Sequence, residues 1–249
     1  MLASVLLTLL VSSAVTQAAV FATTIYLHRT ATHRALVLHP VVEFSFRFVV
    51  WMTTGIAPRQ WVGVHRKHHA FTDQEGDPHS PLLMGFWSVQ LGNAFHYVKE
   101  ARNPGVVEKY ASDVVPDGWD RRLFDRGWLG LLIGIAGLCV VLGVGWGLLA
   151  ALIHTVMYVF MLSSSINGLC HYMGYRNFEN TATNIRTLAL LTGGEGLHNN
   201  HHGFPRSPKF SLRASELDPA WPVIKMLTLL KLATPYKTIE QSGPSPQSP

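Results

Sequence analysis

The chain has 249 residues, of which 48% are apolar and 14% are charged. An ordinary soluble domain carries about 25% charged residues, so the composition argues against a soluble enzyme and favours a membrane protein. The net charge of +5 is modest, and we predict the lipid bilayer, and no nucleic acid, as a partner. Two cysteines, Cys139 and Cys170, give no indication of a disulfide framework or of a cysteine-based metal site.

Two long segments, 1–28 and 127–175, contain no Lys, Arg, Asp or Glu. About 20 apolar residues are enough to cross the roughly 30 Å hydrocarbon core of a bilayer. The second segment is long enough for two crossings, and the glycines near its middle, at 143, 145 and 147, favour a tight helical hairpin. We therefore predict an all-α integral membrane protein with about three transmembrane helices, at 2–27, 128–147 and 149–169.

Three further segments are predicted to form helices at the membrane surface, at 41–57, 81–98 and 219–233. The first of them contains Glu43 and Arg47. A charged side chain at the bilayer centre costs at least about 2.5 kcal/mol, so an interfacial helix is favoured there over a crossing.

The basic residues concentrate between and after the predicted spans, which places those segments on the cytoplasmic side by the positive-inside rule. The interfacial helix 41–57 and the helical hairpin both return the chain to the face that it left, so all the histidine-rich segments meet on that side. Contact with anionic lipid and docking of an acidic partner explain the basic surface equally well. Residues 1–240 are predicted to form one domain, and the tail rich in Ser, Pro and Gln, 241–249, is predicted to be disordered.

Nine of the 13 histidines occur in short groups, and they are His28, His33, His65, His68, His69, His171, His198, His201 and His202. Imidazole suits iron and other first-row metals, and it must be neutral to bind them. Helix positions i, i+3 and i+4 share one face, so each HxxHH motif can present two or three ring nitrogens to one place. His28 and His33 are five residues apart, and that pair requires a helix end or two separate metals.

Nine ligands are too many for one metal ion, so the histidines predict a cap with two metals. Surface positions next to lipid phosphate explain a single residue such as His39 or His96. They do not explain two HxxHH motifs, because unpaired polar rings beside hydrocarbon are costly. A redox-active pair of non-haem iron ions is the first candidate, and zinc is the second.

These motifs resemble those of the membrane fatty-acid desaturases, in particular the stearoyl-CoA and acyl-lipid delta-9 type. The first motif, HRxxxHR, begins at His28. The second, WxxxHRxHH, begins at Trp61 and is followed by the sequence DPH from Asp77. The third, GExxHNxHHxFP, occupies 194–205, and the resemblance covers roughly residues 28–205.

The resemblance implies that the nine grouped histidines bind two iron ions and that Asn167, four residues before His171, reaches one of them through water. It also implies that Asp77 and Glu195 orient ligand imidazoles by accepting their second ring N–H. Hydrogen bonding at the surface is the alternative role of these two carboxylates. His79 belongs to the DPH sequence, but this position is not a ligand in the family.

The N-terminal part of the chain differs from the family pattern. The family has two spans before its first motif, whereas the 27 residues before His28 provide one. The family also places a narrow acyl tunnel among its spans, so a chain with one span fewer is expected to differ in the wall of that tunnel.

His154 lies 13 residues before Asn167, which is about 20 Å along a helix. It is therefore too distant to be a ligand and is predicted to bond within the bundle near the opposite membrane face.

An unactivated C–H bond has neither acidity nor a leaving group, so an oxidant is needed to break it. The resemblance implies an enzyme that uses O2 to introduce a cis double bond, at delta-9, into a saturated fatty acyl chain carried on CoA or on a lipid. Two external electrons are needed in each turnover, and the chain has no flavin, haem or Cys-cluster motif. A separate donor is therefore expected, such as ferredoxin or cytochrome b5 with its reductase.

Two alternative functions stay open. A membrane di-iron fatty acid hydroxylase or alkane monooxygenase uses similar histidines and the same oxidant, although the DPH and GE sequences favour a desaturase. A non-enzymatic His-rich metal-binding membrane protein is more distant, because a carrier needs polar ligands inside its spans, and here the ligands gather outside them.

Overall fold

The computed structural model describes residues 1–239, so the predicted disordered tail lies outside the described residues. The described chain is mostly helical. Its main helices, labelled α1 to α11 in chain order, are Leu2–Thr32, Pro40–Thr54, Pro58–Ala70, Pro81–Met84, Phe86–Ala101, Pro104–Tyr110, Gly127–Leu142, Val144–His171, Arg186–Leu191, His198–Gly203 and Ala220–Leu229. A short π-helical segment, Asp120–Phe124, precedes α7. Two short strands, β1 (Leu36–Leu38) and β2 (Ala233–Pro235), pair antiparallel with Leu36 opposite Pro235.

Two helices, α1 and α8, are long and apolar enough to cross a membrane, with 31 and 28 residues. Helix α7 lies where a further span was predicted, and it is apolar but has only 16 residues. The chain turns between α7 and α8 at Gly143, whose φ of 83° lies in the left-handed region that favours glycine. The helical hairpin is therefore present, and it joins a shorter apolar helix, α7, to a candidate span, α8.

Glycines allow α7 to approach α2 at backbone distance. A Cβ atom at Gly130 would lie 2.6 Å from Cδ2 of Trp51 and closer still to the Trp51 carbonyl oxygen. A Cβ atom at Gly134 would collide with the carbonyl oxygen of Met52 in the same way. The first turns of α7 are therefore fixed on α2 by residues that lack a side chain.

Helices occur in all three segments that were predicted to lie at the membrane surface, with different bounds. Helix α2 ends at Thr54, and the following residue, Gly55, has a φ of 65°. Helix α11 is shorter than the predicted 219–233. The predicted segment 81–98 is two helices, α4 and α5, because the backbone at Gly85 has a φ of 87° that interrupts the helix.

The main hydrophobic core lies where α1 meets β1, α2 and α11, around the fully buried side chains of Ile25, Leu27 and Ile224. His154 on α8 connects that helix to α1 and α2. Its ring lies 3.0 Å from Thr16 Oγ1 on α1 and 2.9 Å from the carbonyl oxygen of Thr53 on α2. His154 thus bonds within the bundle. Its position near the opposite membrane face stays a prediction.

Candidate metal centre

The last third of α1 is a π-helix, Thr23–Thr32, and it positions the first histidine motif. The backbone N–H of His33 donates to the carbonyl oxygen of His28 at 3.1 Å, which is the i to i+5 bond of a π-helix. Residues five apart share a face in this geometry. The structure therefore satisfies the expected helix end, and both rings enter one group.

The two HxxHH motifs each divide their histidines between two groups. On α3, His65 and His69 enter the first group and His68 enters the second. On α10 the i, i+4 pair enters the second group, and the histidine between them enters the first. The ligand atoms of each group lie within 4.8 Å of one another, and the groups are His28, His33, His65, His69 and His201, and His68, His171, His198 and His202.

The Nε2 atoms of the first group face one another. The Nε2 atoms of His28 and His201 are 2.9 Å apart. Nε2 of His65 is 3.1 Å from Nε2 of His33 and 3.1 Å from Nε2 of His69. A neutral imidazole has a single N–H, so these nitrogens cannot all be donors to one another. Several lone pairs that converge in this way are stabilised by a cation between them, so the donor set fits a metal ion.

The second group contains buried ring nitrogens that are unpaired within residues 1–239. They are Nε2 of His68, Nε2 of His171 and Nδ1 of His198, and all three residues are at most 1% exposed. An unsatisfied buried polar atom costs about 1–3 kcal/mol. Coordination of a metal ion would remove this cost, so the second group also fits a metal.

Three carboxylates fix the orientation of histidines in these groups. Nδ1 of His28 lies 2.6 Å from Glu195, that of His68 lies 3.0 Å from Asp77, and that of His171 lies 2.8 Å from Asp73. A carboxylate accepts hydrogen bonds, so the ring hydrogen is on Nδ1 and the lone pair of Nε2 points into the centre. Asp77 and Glu195 had been predicted here. Asp73 had not, because its loop position has no spacing relation to His171.

Burial keeps the other histidines neutral. It lowers the pKa well below the ordinary value, and neighbouring histidines lower it further, for His33, His65, His69, His198, His201 and His202. The carboxylates behave differently. Burial alone would raise the pKa of Asp77, but its hydrogen bond and charge interaction with His68 bring it well below the ordinary value. The site therefore combines neutral imidazoles with ionised carboxylates, as metal ligation requires.

Asn167, a predicted site residue, and His79, which was not predicted to be a ligand, lie beside the histidine groups. The side-chain amide of Asn167 donates to Oδ1 of Asn93 on α5 at 2.9 Å. His79 stacks on the ring of His68 with 4.5 Å between centroids, and both of its ring nitrogens are buried and unpaired within residues 1–239. Asn167 and His79 also line the cavity described next.

A largely apolar cavity of about 350 Å³ begins at the histidines and follows α8. His28, His65 and Asn167 line one end, and His154 lines the other. These ends are about 20 Å apart, because 13 residues of α8 separate Asn167 from His154. A long, narrow apolar ligand that enters this cavity would lie directly against the two histidine groups.

A buried ion pair lies behind the first group, and the sequence analysis does not predict it. The guanidinium of Arg29 contacts both carboxylate oxygens of Asp218 at 3.0 Å, and both side chains are fully buried. Arg29 also donates to Oγ1 of Thr24 at 2.5 Å, and Thr24 donates to Glu195. A continuous network thus connects the segment after the third motif with the carboxylate that orients His28.

Comparisons with a family model and with individual known proteins all indicate the same family. The family model described as fatty acid desaturase matches residues 4–236. An acyl-CoA C20 Delta5-desaturase of Anemone leveillei is 35% identical over 224 residues, which are 88% of this chain and 70% of that protein. The sn-1 stearoyl-lipid 9-desaturase of Anabaena variabilis is 29% identical over 222 residues, 88% and 79% of the two chains. Delta-9 acyl-lipid desaturase 1 of Arabidopsis thaliana is 30% identical over 230 residues, 88% and 72%. The chain therefore belongs to the fatty acid desaturase family and is an oxidoreductase.

Proposed function

We propose that this chain introduces a cis double bond into a saturated fatty acyl chain with O2 as oxidant and two iron ions as cofactor. The observation that carries the proposal is the position of two all-histidine groups at one end of a long apolar cavity. Each group fits a metal by its converging or unpaired Nε2 atoms. The cavity has the length and polarity of an acyl chain.

Iron is favoured over zinc by the chemistry that the family performs. Imidazole ligands suit both metals, but zinc has no redox chemistry. Bound iron would supply the electrons that activate O2 and the oxidant that removes two hydrogens from the acyl chain. The first histidine group would hold one ion, and the second, with Asn167 through a water molecule, would hold the other.

The residues of the chain contribute orientation and the exclusion of water. Glu195, Asp77 and Asp73 hold three imidazoles with their lone pairs directed inward. The apolar walls of the cavity, with side chains such as Val159 and Leu162, align the acyl chain and keep water from the reacting carbons.

The family and the charge of the chain support the proposed carrier and electron donor. Relatives are named as acyl-CoA and as acyl-lipid desaturases, so both carriers are compatible with the proposal, and the double bond is proposed at delta-9. Ferredoxin, or cytochrome b5 with a reductase, would deliver the two electrons to the basic side of the protein. The multi-pass bilayer topology with a cytoplasmic centre is part of the same proposal.

The test is expression in a desaturase-deficient bacterial or yeast strain, with total fatty acids profiled by mass spectrometry. New monounsaturated chains are expected with the wild type and with His96→Ala, whose ring lies outside both groups. They should be absent with His201→Ala. Hydroxylated chains would identify a hydroxylase instead, and equal product from His201→Ala and the wild type would contradict the proposed centre.

A further inference from the structure

The side chain of Tyr97 on α5 lines the apolar cavity, and its hydroxyl oxygen is buried. Within residues 1–239 this oxygen has no hydrogen-bond partner. A buried hydroxyl without a partner costs about 1–3 kcal/mol. Such a group in the wall of a binding cavity favours a ligand that brings a polar atom to that point.

A second tyrosine shows that the unpaired hydroxyl is particular to this place. Tyr158 lines the same cavity from α8, and its hydroxyl lies 2.6 Å from Oγ1 of Thr23. Burial raises the pKa of Tyr97 above the ordinary value for tyrosine. The Tyr97 phenol is therefore protonated and available as a hydrogen-bond donor.

Helix α5 places Tyr97 between two environments. Asn93, one turn earlier and about 6 Å along the helix, bonds to Asn167 at the histidine end of the apolar cavity. Ala101 and Arg102, just over one turn later, line a different cavity of about 800 Å³ with charged walls. Tyr97 therefore lies on the path from the polar cavity to the histidines.

The segment after α2 separates the same two cavities. Thr54 and Ile56 line the apolar one, whereas Gly55 and Ala57 line the polar one, which also contains Arg59. An acyl ester or thioester has the same order of polarity, with a charged or polar carrier, one carbonyl group and an apolar chain. Its carbonyl would lie at this boundary.

We propose that the Tyr97 hydroxyl donates a hydrogen bond to the carbonyl oxygen of the acyl ester or thioester and thereby selects the carbon that lies at the histidine groups. The proposal rests on the desaturase function. It makes Tyr97 a determinant of double-bond position, because a fixed carbonyl sets how far the chain extends to the metals.

The test compares Tyr97→Phe with the wild type in the desaturase-deficient strain, with double-bond positions determined by mass spectrometry. The wild type should give one dominant positional isomer. Tyr97→Phe should give a mixture of neighbouring isomers, with total product lowered about three- to tenfold, because one hydrogen bond is lost. Iron content should equal that of the wild type, since within residues 1–239 the Tyr97 hydroxyl bonds to none of the grouped histidines.

Two tyrosine variants serve as controls. Tyr158→Phe removes a hydroxyl that is already paired, and Tyr236→Phe changes an exposed residue outside the cavity. Both should keep the wild-type double-bond position. If Tyr97→Phe fails to accumulate, Tyr97→Gln keeps a donor with a shorter reach and should displace the double bond.

The outcomes separate this inference from the function itself. A wild type that makes no alkene would reject the desaturase proposal. A wild type with one isomer, together with Tyr97→Phe or Tyr97→Gln giving that same isomer, would overturn the role of Tyr97 alone. Mixed isomers from Tyr158→Phe, or complete loss of product from Tyr97→Phe with iron retained, would also overturn it.

Discussion

The ring nitrogen that faces into each histidine group is determined by side chains outside the histidines themselves. Asp73, Asp77 and Glu195 accept from Nδ1 of one histidine each, which leaves Nε2 for the centre. A ligand set read from motifs therefore omits the residues that select the tautomer. Asp73 is the clearest example, because it reaches His171 across 98 positions of sequence.

Replacement of Asp73 by alanine should weaken metal binding by the second histidine group. Outer partners of metal-bound histidines typically contribute 10- to 100-fold in affinity or activity. We expect iron in purified Asp73→Ala to fall from about two toward one per chain at limiting iron, with product lowered to a similar degree.

The matched control is Glu75→Ala, an exposed carboxylate in the same loop. It should keep the wild-type iron content and product. Full iron occupancy in Asp73→Ala at limiting iron would show that Asp73 does not orient His171.

The position of each histidine on its helix, rather than the motif to which it belongs, decides which group it joins. An i, i+4 pair on α3 or α10 directs both rings to one group, and the histidine between them points to the other. The π-helical end of α1 brings His28 and His33 together across five residues. The histidine count predicted two metals, but a motif could not reveal which of the two groups each histidine joins.

Helix α3 is tied to its surroundings by Arg66, whose guanidinium donates to Asp113 at 2.5 Å and to the carbonyl oxygen of Thr32 at 3.0 Å. The hydrogen bond from Arg66 lowers the pKa of Asp113 from 3.8 to about 2, with burial opposing and Arg34 assisting the shift. A carboxylate with a lowered folded-state pKa stabilises the fold above its unfolded pKa. That contribution is lost as the pH falls toward 2.

Asp113→Asn should therefore unfold at a lower temperature than the wild type at pH 6, with a difference that narrows below about pH 4. Thermal unfolding in detergent across this pH range measures it. Glu75→Gln is the control and should show little difference at any pH. A constant difference for Asp113→Asn down to pH 3 would contradict the ion pair as its cause.

The close contact between α7 and α2 predicts a second stability effect. Gly130→Ala places a methyl group against the Trp51 backbone and indole, and overpacking of this kind costs about 1–3 kcal/mol. Gly137→Ala on the same helix has nothing within 4 Å of its new Cβ and should be neutral. Equal unfolding temperatures of the two variants in detergent would exclude the close approach.

The Arg29–Asp218 pair joins distant parts of the chain behind the first histidine group. Removing one partner of a buried pair leaves a charge without compensation, at a cost of about 3–5 kcal/mol. Arg29→Gln should therefore strongly lower the unfolding temperature and the iron content. Arg34→Gln removes the other arginine of the HRxxxHR motif, which is 63% exposed, and should change stability by less than about 1 kcal/mol.

A double variant tests whether Arg29 acts through Asp218. Arg29→Gln combined with Asp218→Asn should be less destabilised than the sum of the single variants, because neither charge is left unpaired. Additive losses would assign the effect of Arg29 to its other contacts.

The sequence by itself determined the membrane character, the helical class, the nine histidines and the family, because charge depletion and motif spacing are local properties of the chain. Tertiary structure decided the features that join distant segments. It assigned each histidine to a group, brought Asp73 to His171 and Arg29 to Asp218, and opened a cavity between α1, α5 and α8. Such contacts depend on helix rotation and packing, which sequence spacing does not specify.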